Sequence, residues 1–169
     1  MLKILALLLL AAVILGQLFV RLYPLDPKAY HVDLRSLEQH GQGASLRDPT
    51  GNFQSFALGI RSDALERSIS NIITSTPRTT LLAETVAKGQ VVSSVTYVTR
   101  SAFWGFPDVT TVEIEQTNMG AALRIYGRLV FGKADFGMNK TRINTWLDQL
   151  FAQPLKDHLG DPIPRPPSL

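Results

Sequence analysis

Two stretches of this chain concentrate the side chains that can do chemistry. "TYVTRSAFWGFPD" runs from Thr96 to Asp108, and "YGRLVFGKADFGMNKTRINTWL" runs from Tyr126 to Leu147. Between them they supply Arg100, Asp108, Tyr126, Arg128, Asp135, Asn139 and Arg142. The second stretch reads as a strand running into a helix, with Gly132 and Gly137 at the junction. Glycines there permit a positive φ or a close backbone approach. Asp135 and Asn139 can accept bonds from the free amides of the helix start. With Asn139 as N-cap, Met138 and Ile143 fall at the spacing of a hydrophobic staple. A bidentate Asp135–Arg128 pair would lock strand to helix.

The same residues admit three roles. They can be a structural corner built from that ion pair. They can hold an anionic headgroup or a carboxylate, using the helix amides with Arg128, Arg142 and Arg100, and the basic and aromatic strand face of Arg124, Tyr126 and Arg128. They can form a hydrolase-like site, with Asp108 and Asp135 as general acid and base beside Arg128. No Ser–His–Asp order, P-loop or metal-ligand spacing supports a reaction class. The seven residues are therefore expected as binding or structural-corner residues, with no catalytic assignment, no cofactor and no metal. "NKT" at Asn139 is formally a glycosylation acceptor, but a cap position suits that asparagine better. Phe103, Trp104 and Phe106 can form an apolar lip for a lipid or the membrane surface, or pack in the core at a strand end.

The elements that must position these residues follow from periodicity. "FQSFALGI", Phe53 to Ile60, reads as a short strand. Leu65, Ile69, Ile72 and Ile73 then form one helical stripe, with Asp63 and Glu66 as a capping-box variant before it and Pro77 ending it. Strand-like runs follow: "TLLAETVA", a turn at Lys88–Gly89, "VVSSVTYVTR", "DVTTVEIEQ" and "AALRIYGRLVF". In the last, Leu123, Ile125, Leu129 and Phe131 share one face, and Arg124, Tyr126 and Arg128 share the other. Ile143, Trp146, Leu147, Leu150 and Phe151 mark a closing helix that stops near Pro154. This order predicts an α+β domain: a single, mainly antiparallel sheet of about five strands with two helices on one face. Its element order is that of helix-grip folds.

Composition limits the partners. Seventeen basic residues stand against 14 acidic ones with no run of like charge, so nucleic-acid binding is not expected. Cysteine is absent, and His31, His40 and His158 have no metal-site spacing. The amino terminus carries no charge from Ile4 to Val20, and Gln17 is its only polar side chain. A helix of about 18 residues crosses most of a roughly 30 Å hydrocarbon layer. No small-residue cleavage site precedes a polar start, because Leu18, Phe19 and Val20 follow Gly16. The reading is an uncleaved signal anchor over 1–22, a linker over 23–52, a globular domain over 53–154 and a proline-rich tail over 155–169. A short basic leader puts the domain outside the cytoplasm, in the periplasm or its equivalent. Arg21, Lys28 and Arg35 after the span do not favour that orientation.

The two motif stretches resemble the bacterial and plastid family known as domain of unknown function 1499. Arg100, Phe106, Asp108, Tyr126, Arg128, Gly132, Asp135, Gly137, Asn139, Arg142 and Trp146 carry the resemblance. "YHVDL", Tyr30 to Leu34, is similar to the post-anchor segment of membrane-anchored members. Gly127, Leu129 and Ala134 stand where that family more often shows serines, which weakens any role for those hydroxyls. The family brings no established activity. The expected protein is a membrane-anchored module of the cell envelope that binds or scaffolds, for a lipid or an anionic small molecule. The alternative is a hydrolase-like enzyme using Asp108, Asp135 and Arg128.

Overall fold

A computed structural model describes residues 1–39, 51–87 and 92–156. The Lys88–Gly89 turn, His40, His158 and nearly all of the proline-rich tail lie outside the described residues. The chain starts with α1 (Leu2–Leu22), then two short helices, α2 (Pro27–Tyr30) and α3 (Leu34–Gln39). The domain proper runs β1 (Asn52–Leu58), α4 (Ser62–Ser75), β2 (Thr79–Ala87), β3 (Val92–Arg100), β4 (Pro107–Thr117), β5 (Gly120–Leu129) and α5 (Met138–Phe151). The strands form one antiparallel sheet in the order β1-β5-β4-β3-β2. The expected α+β fold with a five-stranded sheet is therefore present.

The apolar stripes explain how this sheet is covered. Leu65, Ile69, Ile72 and Ile73 of α4 and Ile143, Trp146, Leu147 and Leu150 of α5 are buried on one sheet face. They meet Leu58, Tyr97, Val112, Ile114, Leu123 and Ile125, which recur at every second position of their strands. Burying such side chains contributes about 1.5–3 kcal/mol each relative to exposure. Trp146 fixes α5 to the end of α4 by donating its indole N–H to Thr76 Oγ1 at 2.8 Å.

The opposite face is covered by the segment after α1, residues 24–39, which falls inside the stretch expected to be a linker. Leu34 is fully buried there, and its amide donates to Glu113 Oε2 at 3.2 Å. His31 Nδ1 lies 2.8 Å from Thr96 Oγ1. Arg124 bridges Glu113, Glu115 and Glu38, and Arg35 pairs with Glu115. Burial pushes the Glu113 carboxyl above its ordinary value despite the Arg124 charge.

Two local expectations are corrected. Asp63 and Glu66 make no capping box: Asp63 pairs with Arg61 and Arg67, while Glu66 accepts the Ser93 hydroxyl. Arg61 occupies the N-cap, and its side chain caps none of the helix amides. Asn139 is not the N-cap of α5 either. Gly137 holds that position at φ 79°, and the amides are capped from Asp135, two residues earlier.

Candidate functional site

Three connections converge at one end of the sheet. They are the α4–β2 turn at Thr76–Arg78, the β3–β4 loop over residues 101–106, and the β5–α5 corner over residues 130–137. Between them lies an open cavity of about 610 Å³. Pro77, Leu129, Phe131, Phe136 and Met138 give it apolar walls, and Arg78, Arg100, Asp108, Asp135 and Arg142 give it charge.

The corner is built around Asp135. Its carboxylate accepts the amides of Gly137 at 2.9 Å and Asn139 at 3.0 Å. Burial works to raise this carboxyl, but the amide bonds outweigh it and hold it below the ordinary aspartate value. Beside it, Asp108 from β4 accepts Arg142 Nη2 at 2.6 Å, and Arg142 Nη1 donates to Asn139 Oδ1 at 2.8 Å. Burial pushes the Asp108 carboxyl up against the stabilising Arg142 guanidinium, and the Asp135 charge adds to the rise. Gly127 lets α5 approach so closely: a Cβ there would lie 3.1 Å from Ile143 Cδ1 and 3.3 Å from Asn139 Oδ1. A serine at this position would crowd both, which gives the glycine a steric reason. Asn139 is fully buried, which leaves no room for a glycan on its amide.

The ion pair that locks sheet to helix is therefore Asp108–Arg142, and the expected Asp135–Arg128 pair is not formed. The register gives the reason. Asp108 pairs with Leu129, so both face α5, and Arg128 points to the other side of the sheet. There it donates to the carbonyls of Ala29 at 3.1 Å and Tyr30 at 3.4 Å and lies over the rings of Tyr30 and Tyr126. The seven expected residues thus split. Arg100, Asp108, Asp135 and Arg142 line the cavity, and Asn139 sits buried next to it. Arg128 holds α2 on the far face, with the Tyr126 ring beside its guanidinium. The trio Asp108, Asp135 and Arg128 is not brought together.

Sequence reasoning missed Arg78, which lines the same cavity. It is one of two non-glycine residues with positive φ among the described residues, at 61°; the other is Phe136, at 50°. Both line the cavity. Left-handed backbone at a bulky residue stores strain and clusters at functional sites. The "TPR" turn contains Arg78, but nothing in its residue types marks that conformation.

Among the described residues, Arg78 and Arg100 have no carboxylate partner. Arg78 Nε donates to the Arg100 carbonyl at 3.1 Å, and Arg100 Nη1 donates to the carbonyls of Val20 and Gly105, each at 3.1 Å. Both aspartates are already engaged, with Arg142 and with backbone amides. The cavity thus has two cations answered only by carbonyl dipoles.

Fold and site together define a small α+β domain with an apolar amino-terminal helix and an arginine-rimmed cavity at one sheet end. The chain belongs to the family described as Protein of unknown function (DUF1499), which it matches over residues 23–150. That match takes in α2 and α3 as well as the sheet. Among solved structures, the crystal structure of protein CV1439 from Chromobacterium violaceum is similar at 14% identity and a TM-score of 0.38. The match covers 62% of this chain and 94% of that one. No curated protein matches. The helix α1 is long and apolar enough to cross a membrane.

Proposed function

We propose that this protein is a membrane-anchored binding module of the cell envelope, its domain outside the cytoplasm, and that its cavity holds an amphiphile with an anionic head. The observation that carries the reading is the pair of guanidiniums, Arg78 and Arg100, without carboxylate partners at a cavity of about 610 Å³ with apolar walls. A cavity of that size accepts a drug-sized or single-chain ligand. Arginine without an internal anion suits a carboxylate or phosphate, which it binds through charge-assisted bonds. The apolar walls suit the adjoining chain of such a molecule. The helix α1, at 21 residues, supports the anchor.

Native mass spectrometry of the detergent-extracted full chain tests this. The expected result is a reproducible adduct of an acidic amphiphile, lost in Arg78→Ala. Adduct-free protein from repeated preparations, with Arg78→Ala indistinguishable from wild type, refutes the binding reading.

A further inference from the structure

Gln17 is the sole polar side chain in the apolar part of α1, and it has a partner in the domain. Its Nε2 donates to the Phe103 carbonyl at 2.6 Å. One turn later, Arg21 Nη2 donates to the same carbonyl at 2.9 Å and to Ala102 at 3.3 Å. Arg100 returns the contact by donating to Val20. Gly105, at φ 77°, makes room for this approach, because a Cβ there would lie 2.5 Å from Arg21 Cγ. The last turns of α1 and the β3–β4 loop are therefore one hydrogen-bonded unit.

This geometry sets a depth. Gln17 lies four residues before Arg21, about 6 Å inward along a helix at 1.5 Å per residue. Because Gln17 and Arg21 share the Phe103 carbonyl, the loop lies alongside this last turn of the anchor and not beyond its end. We infer that the β3–β4 loop, residues 101–106, is itself embedded in the headgroup and upper acyl layer of the bilayer that α1 crosses. The inference rests on the anchor reading of α1 and adds a second, non-helical membrane contact to it.

Two independent observations support the bilayer as what covers this loop. First, its side chains are those of an interface. "SAFWGFP" has no charge, and Phe103, Trp104 and Phe106 are 69%, 40% and 41% exposed. Their rings continue an aromatic file that starts on α1: Phe19 to Tyr23 at 5.8 Å, Tyr23 to Phe131 at 4.7 Å, Phe131 to Phe106 at 6.4 Å and Phe106 to Trp104 at 6.5 Å. Aromatic rings concentrate at the level of lipid headgroups. Second, five of the six carbonyls of the loop are answered inside the protein, as low-dielectric surroundings favour. Non-helical backbone is tolerated at membrane depth only where its polar groups find partners inside the protein. The carbonyls of Ser101, Ala102, Phe103, Gly105 and Phe106 all accept such bonds, from Gly105, Arg21, Gln17, Arg100 and Ser101. Because Ala102 and Phe106 also line the cavity, its rim lies at the lipid surface.

Trp104 is one of two tryptophans, and the other, Trp146, is buried in the core. The test reconstitutes the full chain in phosphatidylcholine vesicles whose acyl chains carry bromine near the carbonyl end or near the bilayer centre. Shallow bromines should quench the wild-type emission more than deep ones, and Trp104→Phe should abolish that quenching while leaving Trp146 emission intact. Placing tryptophan at position 103 in that background, as F103W/W104F, should restore it. Equal quenching in wild type and W104F, or none in either, overturns the insertion. Vesicle flotation separates the two readings: protein that co-floats without Trp104-dependent quenching refutes the embedded loop alone, and protein that does not co-float refutes the anchor and the loop together.

Discussion

Arg142→Met isolates the lock between sheet and closing helix. The side chains of Arg142 and Asp108 are 14% and 11% exposed and meet at 2.6 Å. Removing one partner of a buried pair costs about 3–5 kcal/mol, because the remaining charge is left without compensation. Residual solvent access puts this pair at the lower end, about 3 kcal/mol, with the lost Asn139 bond included. For a chain of this size that is a fall in melting temperature of about 10 °C. The pH dependence carries more information. Burial already raises the Asp108 carboxyl, and without Arg142 nothing comparable opposes that rise. A raised carboxyl contributes stability that is complete below its unfolded pKa of about 3.9 and is lost as pH climbs through the folded value. The deficit of Arg142→Met should therefore be smallest near pH 4 and largest at neutral pH. The double variant D108N/R142M should recover part of it at neutral pH. Thermal unfolding of the full chain in non-ionic detergent, followed by near-ultraviolet dichroism, measures all three proteins. An R142M deficit below about 0.5 kcal/mol, or one that D108N does not relieve, refutes the lock.

Two further perturbations test the corner and the far face. Asp135→Ala should cost about 1 kcal/mol through loss of the amide cap. Since Asp135 titrates below its ordinary value when folded, that stability is present at neutral pH and is lost as pH falls through the folded pKa. The gap to wild type should close below about pH 4, and a gap that widens in acid contradicts the capping role. Leu34→Ala should cost about 2–5 kcal/mol, as for a fully buried leucine. It should also expose residues 24–38 to limited proteolysis, and unchanged cleavage there would mean that α3 is not held on the sheet.

The strands and the two covering helices were legible because each has one apolar face. In β5, the alternation of Leu123 and Ile125 with Arg124 and Tyr126 announced both the strand and its buried side. The segment over α2 and α3 gave no such pattern. Among its residues with described burial only Leu34 is buried, and its grip on the sheet also runs through polar groups of His31, Arg35 and Glu38. Hydrophobic periodicity does not detect a segment docked by ions and hydroxyls. At the site, the cavity residues Arg100, Asp108, Asp135 and Arg142 were legible by type, but their partners were not. Strand alternation had already put Arg128 on the face away from Leu129, and so away from α5. What was missing was the β4–β5 register, which pairs Asp108 with Leu129 and gives Arg142 its carboxylate. The charge cluster of Arg124 with Glu113 and Glu115 has the same origin. Opposite signs stood on neighbouring strands in plain view, and only the register made them adjacent.

The packing of residues 24–39 onto the sheet has a mechanical consequence. Tyr23 packs edge-to-face on Phe131 directly after α1, and Leu34 is already inside the fold. With α1 in a bilayer, no slack tether separates domain from lipid. Such a molecule has almost no radius of action: under the binding reading proposed above, a ligand has to come to the domain, because the domain cannot swing out to meet it.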